Sequence, residues 1–278
     1  MTSFFSRVTT FFLPLRIAAY LGRGNFFSRE RRDILRTSYR VLISIARNNR
    51  NPEPISLWFR NVPFTMLLES SADFALIREI FLDEEYRHTE IVGIKNIFDV
   101  GANVGAASIY FNCLYPEAMI YAFEPDPELF EKLASRVATI EKIQPLPIAL
   151  SDTDGEAAFY RHGGSPLAGS LLPRSRESVP VMVATRTISS MASELGIDSI
   201  DLVKFDIEGA EKAIFSHADD RNLVVHAIGE MHLDLIDMDK ESARAFFVGF
   251  DVAYTKQTAP NRYILWAAKV PDSHASTQ

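Results

Sequence analysis

From residue 96 onward the chain repeats one pattern, a short unbroken run of apolar residues followed by a stretch with helical spacing. The runs at 96–101, 118–124, 143–150, 200–206 and 223–230 read as strands, and the segments at 105–114, 127–140, 187–195, 209–216 and 239–248 as helices. Strands that are apolar throughout, rather than at every second residue, need cover on both faces. That requirement selects an α/β fold with a mostly parallel sheet between two layers of helix. The pattern breaks at the end, where "DVAYTK" and "RYILWAAKV" flank "QTAPN" with no helix between them, which predicts a hairpin and an antiparallel last strand. Upstream, "ISLWF" and "FTMLL" predict a strand pair around Asn61 and Pro63, with a helix following over 73–82.

The 278 residues are 47% hydrophobic, enough for one sizeable domain with an appendage. Residues 1–50 are the appendage: ten arginines, no lysine and only Glu30 and Asp33 make it strongly basic and set it against an acidic remainder. Helical spacing at 3–22 and 28–47 makes it a basic helical extension, and "NNRNPEP" reads as the linker to a domain over 51–272, leaving 273–278 as a tail. An acidic body argues against a nucleic-acid partner. The basic extension suits either an anionic membrane face, contacted peripherally from the inner side, or packing against the acidic body or a second copy in a homo-oligomer. Cys113 is the single cysteine, so no intramolecular disulfide forms, and the expected compartment is the reducing cytoplasm. Arg7, Pro14 and Arg16 interrupt the N-terminal apolar runs, so no secretory signal is read there.

The stretch "NIFDVGANVGAASIY" combines a strand, a glycine turn and a helix start, an arrangement that receives nucleotide-like ligands. Asp99 ends the strand, and Gly101, Asn103 and Gly105 form the turn. Glu124 in "YAFEPDP" ends the next strand, where a carboxylate takes both hydroxyls of a ribose. Asp152 in "IALSD" ends the third, beside an adenine edge. A dinucleotide would want glycines where Asn103 and Ala106 stand. S-adenosylmethionine has no phosphate to cradle, and its sulfonium charge suits three acids at consecutive strand ends. An NAD-type oxidoreductase and a noncatalytic binding scaffold of the same fold are the alternatives.

These residues resemble the FkbM-type methyltransferase family, through "FDVGANVG", "FEPDP", "ALSD", "DLVKFDIEGAE" and "GEMH" in that order. The resemblance covers residues 55–270 and implies a class I, Rossmann-like methyltransferase fold. It implies S-adenosylmethionine as cofactor, with Asp99, Gly101, Gly105, Glu124 and Asp152 facing it, and O-methylation of sugar hydroxyls on glycans or glycosylated small molecules. The family often carries an acid where "TRTISSM" has Ser189, which is a departure.

A sugar hydroxyl is a very weak acid, so a base or a metal ion is expected beside the acceptor. In "DLVKFD", Leu202, Lys204 and Asp206 share one face, and Lys204 is expected to pair with Asp206 and orient it. "GEMH" puts Glu230 and His232 on one face of the adjacent strand. Either His232 or Asp206 is then the general base, or Asp206 and Glu230 hold a divalent ion such as Mg²⁺. Glu208 and Glu211 follow "KFD"; helix-dipole stabilisation accounts for Glu211 more readily than for Glu208. The Gly, Ser and Pro-rich segment 161–180 is expected to cover the acceptor as a lid.

Overall fold

The computed structural model describes residues 53–60, 62–68, 71–88, 91–161, 169–173 and 179–270. The extension 1–50, the tail and most of the expected lid lie outside these residues. The chain divides into two compact units, the first taking residues up to Arg87 together with Ile109–Pro116, the second the remainder.

In the first unit, β1 (Glu53–Phe59) and β2 (Val62–Leu68) form the expected antiparallel hairpin. Alternation puts Leu57, Phe59, Phe64 and Met66 in its buried face. The helix α1 (Ser71–Leu76) runs on as a π-helical turn over Ile77–Leu82. That turn brings Phe81 flat against Phe64, with ring centroids 4.7 Å apart, and edge-on to Phe59.

The second unit is built on a sheet whose strands are β3 (Asn96–Val100), β4 (Met119–Phe123), β5 (Ile143–Leu146), β10 (Ile200–Phe205), β11 (Val224–His232), β12 (Phe250–Ala259) and β13 (Arg262–Lys269). Their order across the sheet is β12-β13-β11-β10-β3-β4-β5. Every pair is parallel except those of β13, which runs antiparallel between β11 and β12, as the terminal hairpin requires. Pro260 and Asn261 make its turn, Asn261 at φ +57°, a conformation asparagine tolerates. β3 and β4 are buried at every position after the first, as strands covered on both faces must be. The helices α2 (Ala106–Leu114), α3 (Pro127–Val137) and α4 (Ile188–Leu195) follow the expected spans. Asp126 caps α3 by accepting from the Glu128 and Leu129 N–H, and Pro127 sits at its first position, where its missing N–H costs nothing. One core cluster runs through the sheet, with Phe98, Phe123, Phe205, Phe215, Met231 and Leu265 buried together.

Two features differ from expectation. The third strand does not run through 143–150. Pro147 separates β5 from β6 (Ile148–Leu150), which leaves the main sheet for a second one. That sheet, ordered β6-β9-β7-β8, adds β7 (Gly155–Arg161), β8 (Gly169–Ser170) and β9 (Val179–Arg186). Arg161, Gly169–Ser170 and Val179–Pro180 are strand residues of this sheet, so the described parts of 161–180 are partly strand.

The strand order branches between β3 and β10: the chain proceeds outward to β4 and β5 on one side and to β11 and β13 on the other. In open α/β sheets ligands sit beyond the C-terminal strand ends at such a branch.

Candidate active site

At the end of β3 the chain passes through Gly101 at φ +76°, Asn103 at +54° and Gly105 at +87° into α2. A Cβ at Gly101 would stand 2.1 Å from the Asp206 carbonyl oxygen, and one at Gly105 2.8 Å from Leu133 Cδ1. The two glycines therefore let the turn close on β10 and on α3. The space their missing side chains leave is taken by the Asp206 carbonyl and by Leu133. The Gly101 and Ala102 N–H groups both donate to the Phe123 carbonyl, at 3.1 and 2.9 Å.

Glu124, one residue past β4, takes the Asn103 N–H on Oε2 at 2.8 Å and the Asp126 N–H on Oε1 at 2.9 Å. It is only 4% exposed. Burial raises its pKa to about 7, against the lowering effect of those two N–H groups. A carboxylate offers about four lone-pair directions, so two remain for a diol. Asp126 also receives a bidentate contact from Arg161, Nε to Oδ2 at 2.6 Å and Nη2 to Oδ1 at 3.0 Å. The last residue of β7 is thereby tied to the loop that carries Glu124. Asp152 follows β6 rather than a main-sheet strand; it is exposed and accepts from the Ser151 hydroxyl at 3.2 Å.

Asp99 is fully buried. Its Oδ2 accepts the Ser108 hydroxyl at 2.6 Å, and its Oδ1 lies 3.1 Å from Lys204 Nζ. Lys204 in turn donates to the Gly101 carbonyl at 2.9 Å. The pairing of Lys204 with Asp206 read from sequence is thus corrected: its close carboxylate is Asp99, its ladder partner. Residues opposite each other on paired strands are nearer than residues two apart along one strand. Both Asp99 and Lys204 support the turn from inside. Lys204, 3% exposed, has no place as a proton acceptor for a substrate.

At the ends of β10 and β11 four carboxylates converge on one imidazole. His232 is wholly buried. Its Nδ1 is 2.7 Å from Glu211 Oε1, which also accepts the Gly209 N–H at 3.0 Å; as an acceptor already, that oxygen leaves the proton on Nδ1. On the other side Nε2 lies 3.2 Å from Glu208 Oε2, 3.2 Å from Glu230 Oε2 and 3.7 Å from Asp206 Oδ1. None of these is a hydrogen bond of good geometry. Burial alone would lower the His232 pKa, but the Glu211 hydrogen bond and the carboxylates of Glu230 and Asp206 raise it to about 10. His232 is thus wholly buried and held at Nδ1 by Glu211, which suits a partner of these carboxylates better than a group that meets the acceptor directly. Burial works to raise the Glu230 pKa, but His232 and the Thr258 hydroxyl that donates to Oε1 hold it below its usual value. Among these groups the reachable ones are Asp206, Glu208 and Glu230, with side chains 31%, 20% and 19% exposed.

Several members of the site went unread in the sequence. Glu211, assigned there to the helix dipole, is a buried partner of His232. Glu208 and Gly209 are consecutive left-handed residues, φ +55° and +100°, which is why "EG" follows "KFDI". A Cβ at Gly229 would stand 2.0 Å from the Phe205 carbonyl, so "GEMH" needs its glycine for β11 to approach β10. Arg262, facing His232 across the β11–β13 ladder, pairs with Asp234 at 3.1 Å and reaches Glu208 at 3.5 Å. Ser170, buried in β8, donates to the Glu208 carbonyl at 2.8 Å. The signal for Gly229 and Ser170 is only a small residue beside a motif, which sequence alone does not separate from chance.

The sequence profile of the methyltransferase FkbM domain matches residues 99–247. The 2-O-methyltransferase NoeI of Sinorhizobium fredii is 29% identical over 149 residues, covering 46% of this chain and 61% of NoeI, so the chain spans less than two thirds of that relative's length. The 31-O-demethyl-FK506 methyltransferase FkbM of Streptomyces tacrolimicus is 26% identical over 193 residues, 56% of this chain and 74% of the relative. A crystal structure of methyltransferase FkbM from Methylobacillus flagellatus superposes with a TM-score of 0.43 at 12% identity, covering 71% of this chain and 54% of that one.

Proposed function

The chain belongs to the FkbM methyltransferase family, and on that premise we propose that it methylates a hydroxyl oxygen, on a sugar of a glycan or of a glycosylated small molecule, with S-adenosylmethionine as donor. Two relatives that bear O-methyl or O-demethyl in their names support the choice of oxygen. The observation that supports the reading is that the Glu124 loop and the carboxylates of Asp206 and Glu230 follow or end strands on the two sides of the branch, at the same C-terminal edge of the parallel part of the sheet.

The residues fit the cofactor. Glu124 holds two backbone N–H groups and keeps lone pairs for a ribose diol. Asp152 is exposed for an adenine edge, and Asn103 presents the turn that Glu124 secures. When bound, S-adenosylmethionine supplies an activated methyl on a positively charged sulfur. What the chain supplies is position and a proton acceptor. Asp206 and Glu230 are partly exposed carboxylates at the neighbouring strand ends, and either one takes the acceptor's proton or both hold a divalent ion that acidifies it. Among the described residues no helix is long and apolar enough to cross a membrane. The partners we assign are a small-molecule or glycan acceptor, without nucleic acid.

Calorimetry and a turnover assay on hydroxylated acceptors test this. S-adenosylhomocysteine binds and NAD does not. Asp206→Asn and Glu230→Gln each lower turnover by about a hundredfold or more, with product affinity kept within a few-fold. NAD binding in place of S-adenosylhomocysteine overturns the reading, and cofactor binding without turnover on any acceptor returns it to the noncatalytic scaffold.

A further inference from the structure

We propose that the ends of β10 and β11 form a binding site for a divalent transition-metal ion, with His232 Nε2, Asp206 Oδ1 and Glu230 Oε2 as ligands, Glu208 beside them, and Glu211 holding His232 from behind. One ligand atom from each of Asp206, Glu230 and His232 lies within 4.8 Å of the others. The contacts of Nε2 have the spacing of a coordination polyhedron. Ligands about 2.1 Å from a shared ion stand about 3.0 Å apart at right angles and about 3.4 Å apart at tetrahedral angles. Nε2 is 3.2 Å from Glu230 Oε2 and from Glu208 Oε2, within that range, and 3.7 Å from Asp206 Oδ1, which corresponds to a wider angle of about 124°.

The imidazole is set up as a ligand. It is completely buried, its Nδ1–H is given to Glu211 Oε1 at 2.7 Å, and its Nε2 points into the carboxylates without a hydrogen bond of good geometry. A histidine whose second nitrogen is fixed by a carboxylate has its tautomer and ring plane set for metal. Glu211 is itself held by the Gly209 N–H, on a turn that passes through two left-handed residues. Charge points the same way: four carboxylates surround one imidazole, and the guanidinium beside them, Arg262, is shared between Glu208 at 3.5 Å and Asp234 at 3.1 Å. A dication bound at Nε2 offsets two of these four negative charges.

The donor set selects the ion. Mg²⁺ takes oxygen ligands and water, whereas a nitrogen with carboxylates suits Mn²⁺, Fe²⁺, Co²⁺ or Zn²⁺. An ion of this softer class, rather than Mg²⁺, is the one this donor set is expected to prefer, with His232 among the ligands. That the ion acidifies an acceptor hydroxyl rests on the proposed methyl transfer; that it binds does not.

The test is Mn²⁺ binding to the metal-stripped full-length protein without cofactor or acceptor, read by the loss of the free-ion paramagnetic resonance signal. One Mn²⁺ binds per chain, Mg²⁺ competes at least tenfold more weakly, and the melting temperature rises with Mn²⁺. Glu230→Gln and His232→Gln each weaken Mn²⁺ by tenfold or more, and Glu211→Gln weakens it by about ten to a hundredfold. If the His232 variant fails to fold, spin-echo spectra of wild-type protein with Mn²⁺ bound show the ¹⁴N coupling of one imidazole. Absence of saturable binding, absence of that coupling, or Mg²⁺ binding as tight as Mn²⁺ overturns the proposal. Mn²⁺ binding in a protein that methylates nothing leaves it standing while sinking the proposed function; chelator-resistant methylation without Mn²⁺ binding does the reverse.

Discussion

Burial works against the charge of Glu124, and this sets a pH for the proposed cofactor site. With the pKa raised to about 7, the carboxyl group is largely protonated in the free protein below that pH. A ribose diol donates hydrogen bonds best to the ionised form, so bound cofactor favours deprotonation. Affinity for S-adenosylhomocysteine is therefore expected to rise as pH goes from about 5.5 to about 8 and to level off above, by up to about tenfold per pH unit where the group titrates. Glu124→Gln removes most of this slope and weakens binding at pH 8. Calorimetry at four or five pH values checks it; a flat wild-type profile would separate Glu124 from the cofactor. At this scale the sequence identified Glu124 and Asp152 as acids past strand ends. It misread Lys204, because the nearest charge came from the neighbouring strand rather than its own.

Among the elements, β10 occupies the middle position on which the site depends. The strands on its two sides, β3 and β11, approach it through glycines at 101 and 229, each with a β10-side carbonyl where its Cβ would be. A methyl group there meets backbone, which cannot rotate away. Gly101→Ala and Gly229→Ala are expected to destabilise the protein by about 3 kcal/mol or more. Gly196, the left-handed cap of α4 at φ +67°, has nothing within 4 Å of its Cβ position. Gly196→Ala meets only the conformational penalty, about 1–2 kcal/mol. Urea denaturation of the three variants checks the ranking. If Gly229→Ala is as mild as Gly196→Ala, β11 has room that the structure denies it. The sequence reading located these elements within a few residues but had no access to the reason for Gly229, since nothing in "GEMH" says which strand lies alongside.

For the whole molecule the open matter is the basic extension, whose charge of +8 opposes −15 in the remainder. Residues 28–47 lie outside the described ones; the helical spacing of Ile34, Leu35, Tyr39, Leu42 and Ile45 predicts an apolar face that calls for a partner. Packing against the acidic body or a second copy is the expected use, with an anionic membrane face as the competing one. Deleting residues 1–50 is expected to change the oligomeric state on sizing, while intact protein ignores anionic liposomes in flotation. Flotation of intact protein, with the size class unchanged by the deletion, assigns the extension to the membrane instead.

Apolar continuity and parity are local properties, and they were enough to determine the α/β class, the parallel strands, the terminal hairpin and the acids that end the strands. What joins those acids is not local. The contact of Glu211 with His232 spans 21 residues and that of Lys204 with the Gly101 carbonyl spans 103. Each depends on the register between strands and on how closely two backbones approach. The second sheet was not read either: "VPVMVA" marks β9 as apolar, but which strands pair with it, β6 on one side and β7 on the other, is set by contacts distant in sequence. Only the folded chain turns His232 from a candidate base into a buried imidazole, held at Nδ1 and directed by Nε2 at three carboxylates, because only folding decides which groups surround it.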